Sequence, residues 1–338
     1  MITCLVTGGA GFIGSHFIKH LLAHHPDYNV INFDKLTYAG NLDNLREVAD
    51  DPRYRFVQAD VADESAVRSV LNGVDYVVHL AAETHVDRSI GDPASFIRTD
   101  VFGTYVLLEV FRELGGRRFL YVSTDEVYGE AGGEPSHENS PLLPKSPYAA
   151  SKAGADRLAY SYWTTYGTPV VITRCTNNYG PNQYPEKMIP LFVTNALEGE
   201  PLPVYGDGTN TRDWIHVSDH CRALDLLLHA GGIEGEVFNI GSGEEKSVNE
   251  IAQAICDGLD KPKDLIRYVT DRPGHVRRHA VSTEKLRALQ SWEPTVAFGD
   301  GLAAAIKWYV DNPWWWKNIK SGEYLEYYRR QYEGLGAA

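Results

Sequence analysis

The sequence predicts an α/β fold: a doubly wound parallel sheet with a smaller, mostly C-terminal α/β lobe. Three observations carry this. Short apolar runs alternate with longer stretches of helical periodicity through the first half of the chain. A glycine-rich turn joins the first run to the first helical stretch. After about residue 175 Gly and Pro become frequent and the elements shorten. Alternation of strand and helix is the pattern of a parallel sheet covered on both faces.

The predicted strands are Ile2–Thr7, Val30–Asp34, Arg55–Ala59, Tyr76–Ala81, Phe119–Ser123 and Val170–Arg174. Several are continuously apolar, as in Tyr76-Val77-Val78-His79-Leu80, which suits strands buried on both sides. Phe12, Ile13, Phe17, Ile18, Leu21 and Leu22 follow helical spacing, and Asp63 to Leu71 places Val67, Val70 and Leu71 on one side. Later elements, such as a strand at Val237–Ile240 and a helix at Val248–Leu259, are assigned to the smaller lobe. The Trp314-Trp315-Trp316 run and Tyr324, Tyr327 and Tyr328 are expected on a C-terminal helix packed over the core.

The chain has 338 residues, with 32 Lys plus Arg against 45 Asp plus Glu, a net charge of −13. At ~150 residues per domain, that length suggests two domains. The acidic balance argues against nucleic-acid binding, which needs a basic footprint. The four cysteines, Cys4, Cys175, Cys221 and Cys256, form no CxxC pair. Neither a metal site nor a disulfide framework is expected, and reduced thiols suit a cytoplasmic protein. No apolar stretch approaches a membrane span. The first strand begins at Ile2 with no leader pattern, so no membrane partner is expected.

The first strand runs into Thr7-Gly8-Gly9-Ala10-Gly11-Phe12-Ile13-Gly14. Gly9, Gly11 and Gly14 fit G-x-G-x-x-G, and Gly8, Gly11 and Gly14 fit a glycine at every third position. Such glycines let backbone approach a pyrophosphate, and the following helix offers free N–H groups to it. Asp34 ends the second strand and can accept from a ribose, which favours NAD over NADP. Asp60, ending the third strand, can reach an adenine or simply cap its loop. The chain is therefore divided into a dinucleotide-binding domain over 1–175, to which later segments return, and a second lobe over 176–338.

Three further segments point to redox chemistry. Tyr148 and Lys152 stand at i and i+4 on one helix. The Lys charge, with that of a nicotinamide, is expected to pull the phenol's pKa from ~10 toward neutrality. The fifth strand ends in Val122-Ser123-Thr124-Asp125-Glu126-Val127-Tyr128-Gly129. Thr124 can bind a substrate hydroxyl beside Tyr148, and two adjacent carboxyls at a ligand crevice can supply an acid and a base. The fourth strand ends in Leu80-Ala81-Ala82-Glu83-Thr84, whose small residues let backbone lie against the cofactor. His85, Asp87 and Arg88 are read as structural.

With these features the chain resembles the extended short-chain dehydrogenase/reductase superfamily, of Rossmann type, and within it the dTDP-glucose 4,6-dehydratase branch. Asp34-Lys35-Leu36-Thr37-Tyr38-Ala39-Gly40-Asn41, Ala82-Glu83-Thr84-His85-Val86-Asp87-Arg88-Ser89 and the Asp125-Glu126 pair carry the resemblance, with Thr84 where Ser is common. The resemblance implies that Phe12, Ile13, Asp34, Lys35, Leu36, Thr37, Asp60 and Val61 contact NAD. It adds Leu80, Ala81, Ala82, Thr84, Thr99, Tyr148, Lys152 and Asn178 to that set. A nucleotide sugar would be held by Thr84, Thr124, Glu126, Asn177, Lys187, Met188, Ile189, Pro190 and Leu191. Leu202, Pro203, Val204, Tyr205, Arg212, Asn239, Asp271, Arg272 and His275 complete that group; the arginines and His275 suit a pyrophosphate.

The implied reaction is a dehydration. Tyr148 takes the 4-hydroxyl proton as hydride leaves carbon 4, aided by Thr124 and Lys152. Glu126 removes the carbon 5 proton and Asp125 protonates the departing 6-hydroxyl. Two alternatives stay open: a nucleotide-sugar 4-epimerase or decarboxylase of the same superfamily, and a non-catalytic NAD-sensing protein. The resemblance also implies a homodimer through a four-helix bundle, pairing the helix around Phe96–Leu114 with that around Tyr148–Tyr166.

Overall fold

The computed structural model describes residues 1–332; the last six residues of the predicted second lobe, 333–338, lie outside the described residues. Six strands build most of the main sheet: β1 (Ile2–Thr7), β2 (Tyr28–Asp34), β3 (Tyr54–Gln58), β4 (Tyr76–His79), β5 (Arg118–Thr124) and β6 (Val170–Cys175). Each predicted strand is present, with ends shifted by a few residues. The predicted fourth strand stops two residues early because Leu80 and Ala81 leave the sheet to cross the glycine turn.

One prediction is corrected. Val237–Ile240 forms a strand, but it pairs in parallel with β6 and is the seventh strand of the main sheet, not part of the smaller lobe. The sheet order is therefore Val237–Ile240, β6, β5, β4, β1, β2, β3, all parallel. The chain leaves β1 toward β2 and β3, then returns to β4 on the other side. That reversal opens a crevice beyond the carboxyl ends of β1 and β4.

Alternate residues of the strands face two cores. Cys4 and Val6 join Phe17, Leu21 and Leu22 of α1 (Phe12–His24) and Leu224 and Leu227 of the helix Val217–His229. Leu5, Val77 and Phe119 face α2 (Glu64–Leu71) and the helices Gly103–Leu114 and Pro147–Tyr166. Asp63 caps α2 by accepting from the Ser65 and Ala66 N–H groups. The helix Val217–His229 thus belongs to the first unit although it lies far along the chain.

A third core makes the second lobe. It gathers Phe192, Trp214, Ile255, Leu302 and Tyr309 with Trp315 and Trp316. Trp315 Nε1 donates to Asn44 Oδ1 at 2.9 Å, tying this lobe to the loop after β2. Trp314 lies exposed beside Arg46. The aromatic tail is mainly core, as its spacing suggested.

One ion pair sits wholly inside the first unit. Arg174 Nε donates to Asp156 Oδ2 at 2.8 Å, with both side chains almost fully buried. Removing one partner strands the other charge in the interior. Asp156→Ala is expected to cost about 3–5 kcal/mol of folding free energy, read as a lower urea midpoint with an unchanged slope. A change under about 1 kcal/mol would show that Arg174 is satisfied by its other partners, the Tyr128 hydroxyl and the Glu138 carbonyl.

Candidate active site

The crevice is built on the turn after β1. Gly8 has a φ of +70°, and a Cβ there would meet the Ala81 nitrogen at 2.7 Å. A Cβ on Gly14 would meet the Gly8 carbonyl at 2.2 Å, so α1 enters pressed against the turn. No side chain caps the first turn of α1, leaving its N–H groups for an anion. Gly8, Gly11, Phe12, Ile13 and Gly14 line the cleft floor.

Asp34 is held at the adjacent strand end by two backbone donors, Ala10 N at 2.9 Å and Leu36 N at 2.7 Å. Burial pushes its pKa up, and the two N–H bonds oppose this. Leu36 itself, at φ 57°, does not line the cleft. It presents that N–H to Asp34. Lys35 and Thr37 do line the cleft, and Lys35 pairs with Asp60 at 2.8 Å. Asp60 also accepts from Ala62 N, so it caps its loop while facing the cleft beside Val61.

The opposite wall comes from β4 and β5. Leu80, Ala81, Ala82, Glu83 and Thr84 pass across it. Thr99 reaches it from a π-helical turn, Ile97–Phe102, which widens the helix that the sequence presents as continuous. The resulting buried Asp100 accepts from the Glu83 N–H at 2.9 Å and from the Ser151 hydroxyl at 2.6 Å. Nothing in the local sequence marks Asp100, because its partners lie far along the chain.

Thr124, Asp125, Glu126, Tyr148 and Lys152 converge at the cleft's inner end, with Asn177, Asn178 and Lys187 beside them. The Ser146 hydroxyl and Pro147 start the helix that carries Tyr148 and Lys152. Lys152 Nζ donates to the Val122 carbonyl at 2.7 Å and lies over the Tyr121 ring. Burial lowers its pKa, while Asp100 raises it.

The lowering expected at Tyr148 depends in part on a nicotinamide charge, and the protein alone pulls the other way. Burial and the Glu126 charge push the phenol well above its usual range, and a hydrogen bond with Thr124 opposes them. Asp125 is also raised well above the carboxylate range, first by burial and then by Glu126. Its Oδ2 is buried without a hydrogen-bond partner. A neutral carboxylic acid suits that position, and it can donate a proton.

The predicted sugar-side residues fall into three groups. Lys187 Nζ is buried on the Thr84 carbonyl at 2.5 Å. Arg212 donates to the Thr211 and Val276 carbonyls, and Arg272 pairs with Asp87 at 3.0 Å. All three cations act electrostatically on Glu126, so they surround one end of the cleft. Arg272 Nε is a buried donor without a partner. His275 is tied to Asp271 at 2.6 Å.

In the second group, Ile189, Leu191, Leu202 and Val204 have side chains in the lobe core, leaving their backbone for any ligand contact. Met188 and Pro190 share that helix, Pro203 that strand, and Tyr205 donates to Asp87. Asn239 stands apart. It is fully buried, accepts from the Tyr128 hydroxyl and donates to the Ser136 and Ser282 carbonyls. Its amide holds a loop.

Cys175, Thr176, Gln183, Tyr184 and Glu186 also line the cleft, although no motif marked them. Asp87 accepts from the Tyr205 hydroxyl and pairs with Arg272. Arg88 pairs with Glu186 and lies between the Tyr38 and Tyr327 rings.

A glycine-turn crevice at a strand reversal, with a Tyr-Lys pair facing two carboxyls, defines an enzyme of the nucleotide-dependent dehydrogenase/reductase class. Comparison with known proteins narrows this. Residues 5–305 match the model of the GDP-mannose 4,6 dehydratase family, and the chain belongs to that family. It is 51% identical to a dTDP-glucose 4,6-dehydratase of Streptomyces niveus, covering 94% of this chain and 95% of that one. A Neisseria meningitidis dTDP-glucose 4,6-dehydratase is 47% identical, with 95% and 96% covered. DesIV, a dTDP-glucose 4,6-dehydratase of Streptomyces venezuelae solved with NAD and TYD bound, superposes with a TM-score of 0.92. It is 50% identical, covering 94% of this chain and all of that one. A Thermus thermophilus UDP-glucose 4-epimerase solved with NAD has a TM-score of 0.84 at 32% identity, covering 91% and 99%.

Burial raises the Asp100 pKa to about 7, with Lys152 opposing. The folded chain thus keeps this proton to about pH 7, while the unfolded chain releases it near 3.8. Between those values the folded state binds more protons, so this group lowers stability as pH rises. Asp100→Asn carries no such proton. Its stability relative to the parent is expected to increase from pH 4 to pH 8 in urea titrations. A difference that stays constant across that range would contradict a buried, titrating Asp100.

Proposed function

We propose that the protein converts dTDP-glucose to dTDP-4-keto-6-deoxyglucose with NAD as a tightly held cofactor. The buried Asp125 carboxyl, its Oδ2 without a hydrogen-bond partner, beside Glu126 at the Tyr148 end of the cleft carries this reading over a 4-epimerase, which needs no acid for a leaving hydroxyl. An NAD sensor would need neither Tyr148 nor Lys152. The near full-length likeness to dTDP-glucose 4,6-dehydratases supports the same choice.

The chain's residues fit NAD: the turn at Gly8, Gly11 and Gly14 for the pyrophosphate, Asp34 for the adenosine ribose, and Lys152 for the nicotinamide ribose. NAD⁺ supplies the hydride acceptor at carbon 4 and, once reduced, the donor at carbon 6. Tyr148 accepts the 4-hydroxyl proton. Its raised pKa makes it a reluctant base until the cofactor's positive charge is beside it. Thr124 donates to the developing phenolate. Glu126 removes the carbon 5 proton, made acidic by the 4-keto group, and Asp125 protonates the departing 6-hydroxyl. Arg212, Arg272 and Lys187 balance the substrate's diphosphate.

The homodimer belongs to the same proposal. Ile90, Ile97, Phe102, Tyr105, Leu114, Tyr160 and Tyr166 are large and exposed on or beside the helices Gly103–Leu114 and Pro147–Tyr166. A partner's matching pair would cover them as a four-helix bundle. No helix among the described residues is long and apolar enough to cross a membrane, and the reduced cysteines suit a cytoplasmic location.

Asp125→Asn keeps the shape but cannot donate a carboxylic proton. With dTDP-glucose it is expected to lower turnover ~10²–10⁴-fold, while the reduced-nicotinamide absorbance of the first turnover persists. Lost turnover with no such absorbance would place Asp125 before oxidation and misassign its role. Parent protein that leaves dTDP-glucose unchanged would overturn the proposal.

A further inference from the structure

At the end of the sheet away from the cleft, beside the starts of β2 and β4, three imidazoles meet one carboxylate. His20 lies near the end of α1, and His25 immediately follows it. Asp225 and His229 are one turn apart at the end of the helix Val217–His229. Asp225 contacts His20 Nε2 at 2.9 Å, His25 Nε2 at 2.9 Å and His229 Nδ1 at 3.0 Å. One ligand atom each from His25, Asp225 and His229 lie within 4.8 Å of one another. All four side chains are partly buried with one side open to solvent, between 13% and 33% exposed.

We propose that His25, Asp225 and His229, with His20 on the second carboxylate oxygen, form a binding site for a zinc-class divalent cation. Imidazole and carboxylate suit Zn²⁺, Co²⁺ or Ni²⁺, whereas Ca²⁺ and Mg²⁺ prefer all-oxygen sites. At Zn–ligand distances of ~2.0–2.2 Å, tetrahedral ligand atoms stand about 3.3 Å apart. The nitrogen–carboxylate distances of 2.9 and 3.0 Å need open by a few tenths of an ångström, the two imidazole nitrogens, within 4.8 Å of each other, need settle to the same spacing, and the cation replaces imidazole N–H donors.

The surroundings already hold the ligands in place. His229 Nε2 lies 2.5 Å from the Tyr28 hydroxyl, and Nδ1 stands 2.7 Å from the Asp225 carbonyl, so a cation would take Nδ1 from that carbonyl while Nε2–H donates to the Tyr28 oxygen. Arg53 donates to the His25 and Leu22 carbonyls, fixing the turn that presents His25. Cysteine spacing, on which the expectation of no metal rested, is silent about ligands 200 residues apart. α1 has 13 residues, which puts its far end about 20 Å from the glycine turn. The cation would clamp α1 to the helix Val217–His229 and take no part in the cleft's chemistry.

The test uses tag-free, chelator-treated full-length protein titrated calorimetrically with Zn²⁺, and separately with Co²⁺ followed by visible absorption. One equivalent of Zn²⁺ is expected, with the intense bands of low-coordinate Co²⁺ and a higher melting temperature. His229→Gln and His25→Ala should each weaken binding by about tenfold or more. His24→Ala, which removes a neighbouring imidazole outside the cluster, should not. Absence of saturable binding in the parent, or binding unchanged in a His25→Ala/His229→Gln double variant, would overturn the site.

Discussion

β1 has β2 on one side and β4 on the other, and the chain turns opposite ways from each. That single reversal leaves a gap at the carboxyl end of the sheet which helices cannot fill. Everything functional follows from it. Gly8 must take a positive φ to let Ala81 pass, and Gly14 must lack a side chain for α1 to start against the turn. The helix start, the Asp34 carboxylate and the β5 terminus then face one crevice.

Desolvation decides the chemistry of its inner end. Asp125 and Tyr148 are both driven toward their neutral forms, mainly by burial. Neutral Asp125 is ready to give a proton, which suits it to an acid that acts late. Neutral Tyr148 is also a donor in the resting site, so its role as base depends on a cation arriving. Lys152 is engaged by the Val122 carbonyl, and Asp100 favours its charged form. The cations at Lys187, Arg212 and Arg272 sit on the Glu126 side.

Much of this was legible in the sequence where the information is local. The glycine turn, Asp34 at a strand end, and the i, i+4 pair of Tyr148 and Lys152 each need only spacing and strand order. What was missed depends on contacts across the chain. Val237–Ile240 reads as an apolar run, and nothing within it says which sheet it joins. Asn239 gives no local sign that Tyr128 and two distant carbonyls engage its amide. The upward pull of burial on Tyr148 has no local signal, because packing depth is set by the tertiary fold. Asp100 and Glu186 have no local signal, since a π turn and a distant arginine give them their places.

The central claim is that one cofactor, held throughout, oxidises carbon 4 and reduces carbon 6 while Glu126 and Asp125 remove water between these events. It is tested most directly with dTDP-glucose carrying deuterium at carbon 4, mixed with unlabelled substrate of distinguishable mass. The label is expected in the product's methyl group, within the molecule that carried it, with no crossover. Label kept at carbon 4, or lost to water, would contradict the account.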